Sequence, residues 1–334
     1  MKKLILLLAI SVFLTSCFDE DIAVTPLDRG DVVSNQVEMM GKYENQVYFD
    51  LGSNTTVSTN KYGEWDLGFQ SYDSYHIRLN SARNMAVQDL GKVDFASVNA
   101  ESDEIEYKRD VPSGNKDSMV IGKWWLEENG ELISKEHVYI VDRKRSHDRT
   151  RGGLRKIKIL SANENKFVFI FAELNSSESD TVVVPRNEMY NFITVSLDGK
   201  GSVTNLEPRS DEWDIVFTKY TELFDVPGFE VYPVTGALIN TRYCEVVEAD
   251  STISFDELTS ESIGEYVLTN KRDEIGWDWK QVDINTGVYT VNPLKKYIIS
   301  DTEGFYYKLR FIGFQKIVDG KAEKGYPEFE IKLL

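Results

Sequence analysis

Residues 63–69 read Gly-Glu-Trp-Asp-Leu-Gly-Phe, and residues 211–217 read Asp-Glu-Trp-Asp-Ile-Val-Phe. The two Trp-Asp pairs lie 148 residues apart. In each half of the chain, one strand-like run precedes the Trp-Asp pair and three strand-like runs follow it, in the same order. The flanking runs are 47–51, 138–141, 154–160 and 167–174 in the first half, and 192–197, 296–299, 306–314 and 329–334 in the second. Four matched segments in one order indicate a tandem duplication.

These runs are rich in β-branched and aromatic residues, which favours β structure. Residues 155–159, Arg-Lys-Ile-Lys-Ile, place two lysines on one face of a strand and two isoleucines on the other. We therefore predict a mostly β protein made of two tandem antiparallel β domains, with one short helix near residues 256–266. The predicted parts are a signal peptide at 1–16, an acidic tether at 17–40, a first β domain at 41–178 and a second at 179–334.

Composition narrows the classes of function. The chain has 334 residues, 55 acidic and 38 basic side chains and a formal net charge of −17. A general nucleic-acid binder needs clustered cations, so that class is not expected. Three His and two Cys leave little material for a metallohydrolase or a disulfide scaffold. The sequence contains no catalytic motif that we recognise, and we predict that the protein is not an enzyme, with no catalytic residue and no protein-bound metal.

The N-terminus has the pattern of an exported lipoprotein. Two lysines precede an apolar run at residues 4–14, and Leu14-Thr15-Ser16-Cys17 resembles the bacterial lipobox. Lipid on Cys17 would hold the protein to the outer membrane. The acidic residues 19–21 resemble the surface-export signal of Bacteroidetes lipoproteins, which predicts a cell-surface location. The alternatives are an ordinary secretory signal with a chance cysteine, and a solvated acidic tether.

Several segments resemble the HmuY-type family of Bacteroidetes haem-binding lipoproteins. The resemblance rests on Trp-Asp-Leu-Gly-Phe-Gln-Ser-Tyr-Asp at 65–73, Ile-Arg-Leu-Asn at 77–80, residues 297–311 and Gly-Tyr-Pro-Glu-Phe-Glu-Ile at 325–331. It implies a mostly β surface lipoprotein, with haem held between two axial His or Met side chains. One axial His of that family lies five residues after the motif Trp. Here that position is Gln70 or Thr218, and neither residue type is a usual ligand of haem iron.

Other residues near the motif are candidates for contact with haem. His76, Met85 and Met119 carry an imidazole or a thioether that could reach iron, and Tyr72 and Tyr75 offer flat rings for a porphyrin. In the alternative interpretation, His76 is a partly exposed residue at a strand edge and both methionines fill gaps in the core.

Two further groups of side chains have a functional and a structural interpretation. The basic stretch 142–156 contains four candidate anion contacts, Arg143, Arg145, Arg149 and Arg151, unless it is only a solvated hairpin loop. Four tryptophans form exposed platforms for a sugar or a porphyrin, unless they fill the space between sheets; they are Trp124, Trp125, Trp277 and Trp279.

The leading hypothesis is a surface-anchored lipoprotein that binds a small ligand, haem or a related porphyrin. It would deliver this ligand to an outer-membrane receptor of the TonB-dependent class. The alternatives are a glycan- or nutrient-binding module, and a structural surface lipoprotein that does not bind haem.

Overall fold

The computed structural model describes residues 30–228 and 230–334. The predicted signal peptide, Cys17 and most of the predicted tether lie outside the described residues. The strands, labelled β1 to β22 in chain order, are Val33–Gln36, Asn45–Asp50, Thr55–Lys61, Leu67–Gln70, Ile77–Leu79, Ala86–Lys92, Trp125–Glu128, Glu131–Ser134, His137–Asp142, Leu154–Ala162, Lys166–Glu173, Asp180–Pro185, Phe192–Ser196, Ser202–Val203, Ile215–Leu223, Val231–Ile239, Glu245–Glu248, Lys280–Val282, Tyr289–Val291, Tyr297–Ser300, Tyr306–Val318 and Lys321–Leu333.

Helical structure is limited to short 3-10 turns in the part of the chain that the structure describes. They span Tyr62–Glu64, Ser81–Arg83, Phe95–Ser97, Lys116–Ser118 and Ser260–Glu265. The last of these lies inside the segment predicted to be a helix. No helix among the described residues is long and apolar enough to cross a bilayer.

The strands form two five-stranded and two four-stranded sheets, with two separate hairpins. The five-stranded sheets have the orders β1-β22-β21-β20-β17 and β12-β11-β10-β9-β6. The four-stranded sheets are β14-β13-β4-β5 and β16-β15-β2-β3, and the hairpins are β7-β8 and β18-β19. Neighbouring strands run antiparallel in all of them. The predicted class, mostly β with antiparallel sheets, is confirmed.

The two halves of the chain are joined through the four-stranded sheets. In one of them β4 pairs with β13, with Gln70 opposite Phe192. In the other, β2 pairs with β15, with Phe49 opposite Ile215. The strand that precedes each Trp-Asp motif therefore pairs with the motif strand of the other copy. The predicted boundary at 178/179 stays a prediction, but each half completes a sheet of the other half.

The aspartates of the two Trp-Asp motifs, Asp66 and Asp214, also hold the strands that pair between the two halves. Asp66 accepts a hydrogen bond from the Leu197 N–H at 2.7 Å, just after β13. Asp214 accepts one from the Leu51 N–H at 2.7 Å, just after β2. Each buried carboxylate thus satisfies a backbone donor that would otherwise lack a partner.

Two large apolar clusters fill the space between the sheets. One contains Phe69, Phe167 and Phe169, and the other contains Trp279 and Phe311. The rings of Trp279 and Phe311 stack at 3.7 Å with an angle of 10°. Burial of each large apolar side chain contributes about 1.5–3 kcal/mol, so these clusters hold the sheets together.

Candidate functional site

A surface cleft of about 610 Å³ lies where loops from the two copies meet. We call it the Tyr72 cleft. Tyr72 and Lys116 come from the first half of the chain, and Arg242 and Lys271 come from the second half. The cleft therefore brings together residues that are far apart in sequence.

Local structure explains how the first half contributes to the cleft. Between β4 and β5 the chain turns through Asp73, which has the left-handed φ of 60° that an Asp tolerates better than most residues. The Gln70 N–H donates to the His76 carbonyl at 3.0 Å and closes this turn. Across the cleft, the Asn115 side chain caps the turn Lys116–Ser118 by accepting from the Asp117 N–H at 3.0 Å.

The cleft concentrates cations in an acidic protein. The Arg242 guanidinium lies 4.2 Å from the centre of the Tyr72 ring and donates to the Glu188 carbonyl at 2.7 Å. Lys116 pairs with Asp73, and this hydrogen bond is the main cause that lowers the pKa of Asp73. Among the described residues, Arg242 forms no ion pair with a carboxylate. Its charge is therefore available to an acidic ligand.

His76 lies beside the cleft with its ring orientation fixed. Its Nδ1 is 2.7 Å from the Ser74 hydroxyl, and the ring meets the edge of Trp125 with 5.2 Å between centroids. Burial, followed by the charge of Lys116, lowers the pKa of His76. The imidazole is therefore neutral at neutral pH, which is the form that binds metals. Its Nε2 has no hydrogen-bond partner in the described part of the chain.

The two positions that correspond to the axial His of the family point into the protein. Gln70 is buried and accepts from the Ser74 hydroxyl at 2.5 Å. Thr218 is buried and accepts from Gln46 Nε2 at 2.9 Å. Neither side chain can reach a ligand in the cleft. Ser74, however, bonds to both Gln70 and His76, so His76 lies next to the position that the motif marks.

The structure brings together only some of the predicted haem contacts. Tyr72 lines the cleft, and Met119 lines a smaller cavity that adjoins it. Tyr75 faces elsewhere: Arg186 lies 4.3 Å from the centre of its ring, and its edge meets Trp125. Met85 is only 2% exposed and packs in the core cluster with Phe69. It therefore fills a gap in the core, as in the alternative interpretation, and does not contact a ligand in the cleft.

The basic stretch does not act as one anion site. Arg143 is fully buried and pairs with Asp66 at 2.9 Å and with Asp198 at 2.8 Å, so its prediction as an anion contact is wrong. Arg145, Arg149 and Arg151 are exposed, in agreement with a solvated loop that retains three surface cations.

For three of the four tryptophans the structure agrees with the structural interpretation and not with an exposed platform. Trp124, Trp125 and Trp279 are buried, because they fill the space between sheets. Trp277 is half-buried and lines a second hollow of about 840 Å³, which we call the Trp277 groove. Tyr232 and Ile284 in this groove are 50% and 92% exposed. Trp277 was a sequence candidate through the Trp-Asp-Trp stretch at 277–279, whereas the other walls of this groove carry no local sequence signal.

No set of three or more His, Cys, Asp or Glu side chains in the described residues forms a metal site. Cys244 is a buried free thiol that donates to Asp214 at 3.4 Å.

Solved structures similar to this chain include the following three proteins, all at low identity. Apo PinO from Porphyromonas gingivitis is 11% identical with a TM-score of 0.35, over 91% of this chain and 98% of that one. A putative HmuY-like heme binding protein from Bacteroides vulgatus is 10% identical with a TM-score of 0.23, over 91% and 94% of the two chains. The apo HmuY analog TFO from Tannerella forsythia is 10% identical with a TM-score of 0.23, over 92% and 98%.

A comparison with curated proteins gives no match. The family described as HmuY protein matches residues 42–331, which span the sheets of both copies. Because this match covers most of the sequence, the chain belongs to the HmuY family.

Proposed function

We propose that the protein is a surface lipoprotein that binds haem or a related porphyrin in the Tyr72 cleft and delivers it to a TonB-dependent outer-membrane receptor. Family membership supports the ligand class. The observation that supports the Tyr72 cleft as the binding position is the combination of the Tyr72 ring, the unpaired cation Arg242 and the neutral imidazole of His76 beside the same hollow. The lipid anchor at Cys17 and the surface location rest on the sequence pattern of the N-terminus.

The residues of the cleft fit the chemical groups of a porphyrin. The volume of about 610 Å³ lies in the range of small-molecule sites, roughly 300–1,000 Å³. Arg242 can form an ion pair with one propionate, and Lys116 can pair with the other by exchanging Asp73 for it. Arg242 lies over the Tyr72 ring, so this ring adds aromatic surface beside the cation. When bound, haem would supply an iron atom that takes nitrogen ligands. His76, whose Nδ1 is engaged with Ser74, would be the residue beside the cleft that offers such a nitrogen.

We infer binding rather than catalysis at this site. Two of the three cations in the cleft are already engaged in ion pairs, Lys116 with Asp73 and Lys271 with Asp273, whereas Arg242 has no carboxylate partner among the described residues. Such pairs shape a surface that holds a ligand, and they leave neither carboxylate free as a general base. Transfer to a receptor would expose the ligand from an open cleft without a chemical step.

A haemin titration of the purified full chain tests the proposal. We expect a shifted Soret band, and His76→Ala should change the spectrum because the imidazole contacts iron. Arg242→Ala should weaken binding by about tenfold, the effect of losing one charge-assisted contact of about 1.4 kcal/mol. His137→Ala, at an exposed histidine that pairs with Asp89, is the matched control. An unshifted Soret band would refute haem binding. A His76→Ala spectrum identical to that of the wild type would refute the contact between His76 and iron.

The Trp277 groove is the second candidate site, because its exposed apolar walls suit a glycan or another nutrient with an apolar face. Haemin titration of Trp277→Ala shows whether haem binds in the Trp277 groove or in the Tyr72 cleft. Loss of haemin binding in Trp277→Ala, with normal binding in His76→Ala, would move the haem site to the groove. A glycan array on the wild type and Trp277→Ala tests the sugar alternative, and a signal that depends on Trp277 would support it.

A further inference from the structure

A small cavity of about 50 Å³ lies behind the Tyr72 cleft. We call it the inner chamber. It shares Gly114 and Thr241 with the cleft, so the two hollows adjoin. Apolar side chains form part of its wall, and the polar or charged groups that the proposal uses belong to Arg78, Asp110, Asn191, Glu207, Trp213 and Arg272.

The chamber collects buried polar atoms that have no hydrogen-bond partner. Four of the eleven such side-chain atoms in the described residues belong to it: Arg78 Nε, Asn191 Oδ1, Glu207 Oε1 and Trp213 Nε1. Glu207, Trp213 and Asn191 are 2%, 3% and 5% exposed. Buried polar groups are nearly always paired, so a cluster of unpaired ones around one cavity favours a site for a polar ligand.

Arg272 adds an unpaired cation to the chamber. Its guanidinium forms no ion pair and no hydrogen bond with any of the residues that the structure describes. Burial, together with the nearby Arg78, lowers the pKa of Arg272 to about 10, and the group therefore stays charged at neutral pH. Arg272 is only partly buried, so its charge is accessible to a solute that enters the chamber.

The charges of the lining nevertheless balance. Arg78 Nη2 pairs with Glu207 Oε2 at 2.7 Å. The Asp110 carboxylate accepts from the Leu79 N–H at 2.6 Å and faces Arg272 and Arg78 electrostatically. Two cations and two carboxylates favour an occupant without net charge. The free donors and the free acceptors require that this occupant both accept and donate hydrogen bonds.

We propose that the inner chamber binds a small zwitterion, an α-amino acid of the size of glycine. Its carboxylate accepts hydrogen bonds from Arg272, Arg78 Nε and Trp213 Nε1. Its ammonium group donates to Glu207 Oε1 and Asn191 Oδ1. The volume corresponds to about four water-sized positions, close to the size of glycine. This site is independent of haem binding and is tested on haem-free protein.

Calorimetric titration of the haem-free full chain with glycine is the first test. We expect saturable binding, with acetate and methylammonium each weaker by about tenfold or more, because each satisfies only half of the chamber. Trp213 emission should change as its N–H gains an acceptor. Absence of saturable binding, or acetate binding as tight as glycine, would overturn the proposal in favour of ordered water or a simple anion site.

Two variants test the assigned contacts. Arg272→Gln should weaken glycine binding by about tenfold or more, since a charged contact is lost. Trp213→Phe keeps an aromatic side chain but removes the five-membered ring that carries the N–H donor, so it serves if Arg272→Gln does not fold. Lys92→Gln, at a side chain that is 72% exposed, is the control for lost positive charge and should bind glycine normally. Normal glycine affinity in either folded chamber variant would refute the assignment.

Discussion

The two motif aspartates should respond in opposite ways to the same substitution. Asp66 is fully buried and meets Arg83 Nη1 and Arg143 Nη2, each at 2.9 Å. Asp66→Asn would leave these buried guanidinium groups without the carboxylate that they share. Breaking a buried ion pair from one side costs about 3–5 kcal/mol. We therefore expect the free energy of unfolding to fall by about that amount.

Asp214 occupies the same place in the second copy but has no cationic partner among the described residues. The repeat places Asp301 where the first copy has Arg143. Burial raises the pKa of Asp214 to about 6, and Asp50 adds to the rise. A rise of about two units penalises the charged form by about 3 kcal/mol above pH 6. Asp214 accepts from the Leu51 N–H on one oxygen, and from the Thr302 N–H and the Cys244 thiol on the other. Asp214→Asn removes the penalty but gives up the bonds on one side, about 1 kcal/mol each, so we expect stability to be unchanged or raised by up to about 2 kcal/mol.

Urea unfolding followed by tryptophan fluorescence measures both variants at pH 7.5. A folded-state pKa above the unfolded value means that the stability linked to Asp214 is complete below about pH 4 and is lost as the pH rises through about 6. Wild type should therefore gain stability between pH 7.5 and pH 5 from this residue, and Asp214→Asn should lack that gain. Equal destabilisation by the two substitutions at pH 7.5 would refute the reasoning.

Three other predictions follow from burial. Trp279→Ala should lower the melting temperature strongly, because the cavity that it opens in the core reduces the free energy of unfolding by about 3–5 kcal/mol. Trp277→Ala lies in the open groove and should reduce it by less than about 1 kcal/mol. Equal decreases in melting temperature, measured by calorimetry, would contradict the burial of Trp279 and the exposure of Trp277. Burial lowers the pKa of Lys280 to about 7, so above pH 7 the unfolded chain binds more protons at this residue than the folded protein does. The free energy of unfolding should therefore rise by up to about 1.4 kcal/mol per pH unit between pH 7 and pH 9. Urea unfolding of Lys280→Met should lack this pH dependence. Arg145→Gln should weaken heparin retention and leave the melting temperature nearly unchanged, while Arg143→Gln should destabilise the protein; the reverse pattern would place Arg143 at the surface.

Local sequence pattern was sufficient to predict most of the strands. The runs at 47–51, 155–160 and 192–197 coincide with β2, β10 and β13, because alternating apolar side chains are a property of the strand itself. The exposure of the faces was not predictable in this way. Lys156 belongs to the lysine face of β10, yet it is buried and donates to the Val98 carbonyl at 2.7 Å, because the turn Phe95–Ser97 covers that face.

The candidate site was predictable only in part, for the same reason. His76 and Tyr72 follow a motif strand closely, so the sequence placed both of them near the axial position of the family. Arg242, which completes the cleft, lies far along the chain and carries no local signal. Met85 was indistinguishable from Met119 by residue type, and only the packing shows that Met85 is enclosed by the core.

The sequence by itself determined the β class, the repeated Trp-Asp unit and the family, because these depend on residue types at short and regular spacing. The tertiary structure decided that each copy lends a strand to the other, since strand pairing depends on contacts between distant residues. It also decided where charge is buried or free: Arg143 neutralises Asp66 inside the protein, whereas Arg242 and Arg272 remain available to a ligand. These differences depend on which distant backbone and side chains surround each group, and no local pattern encodes them.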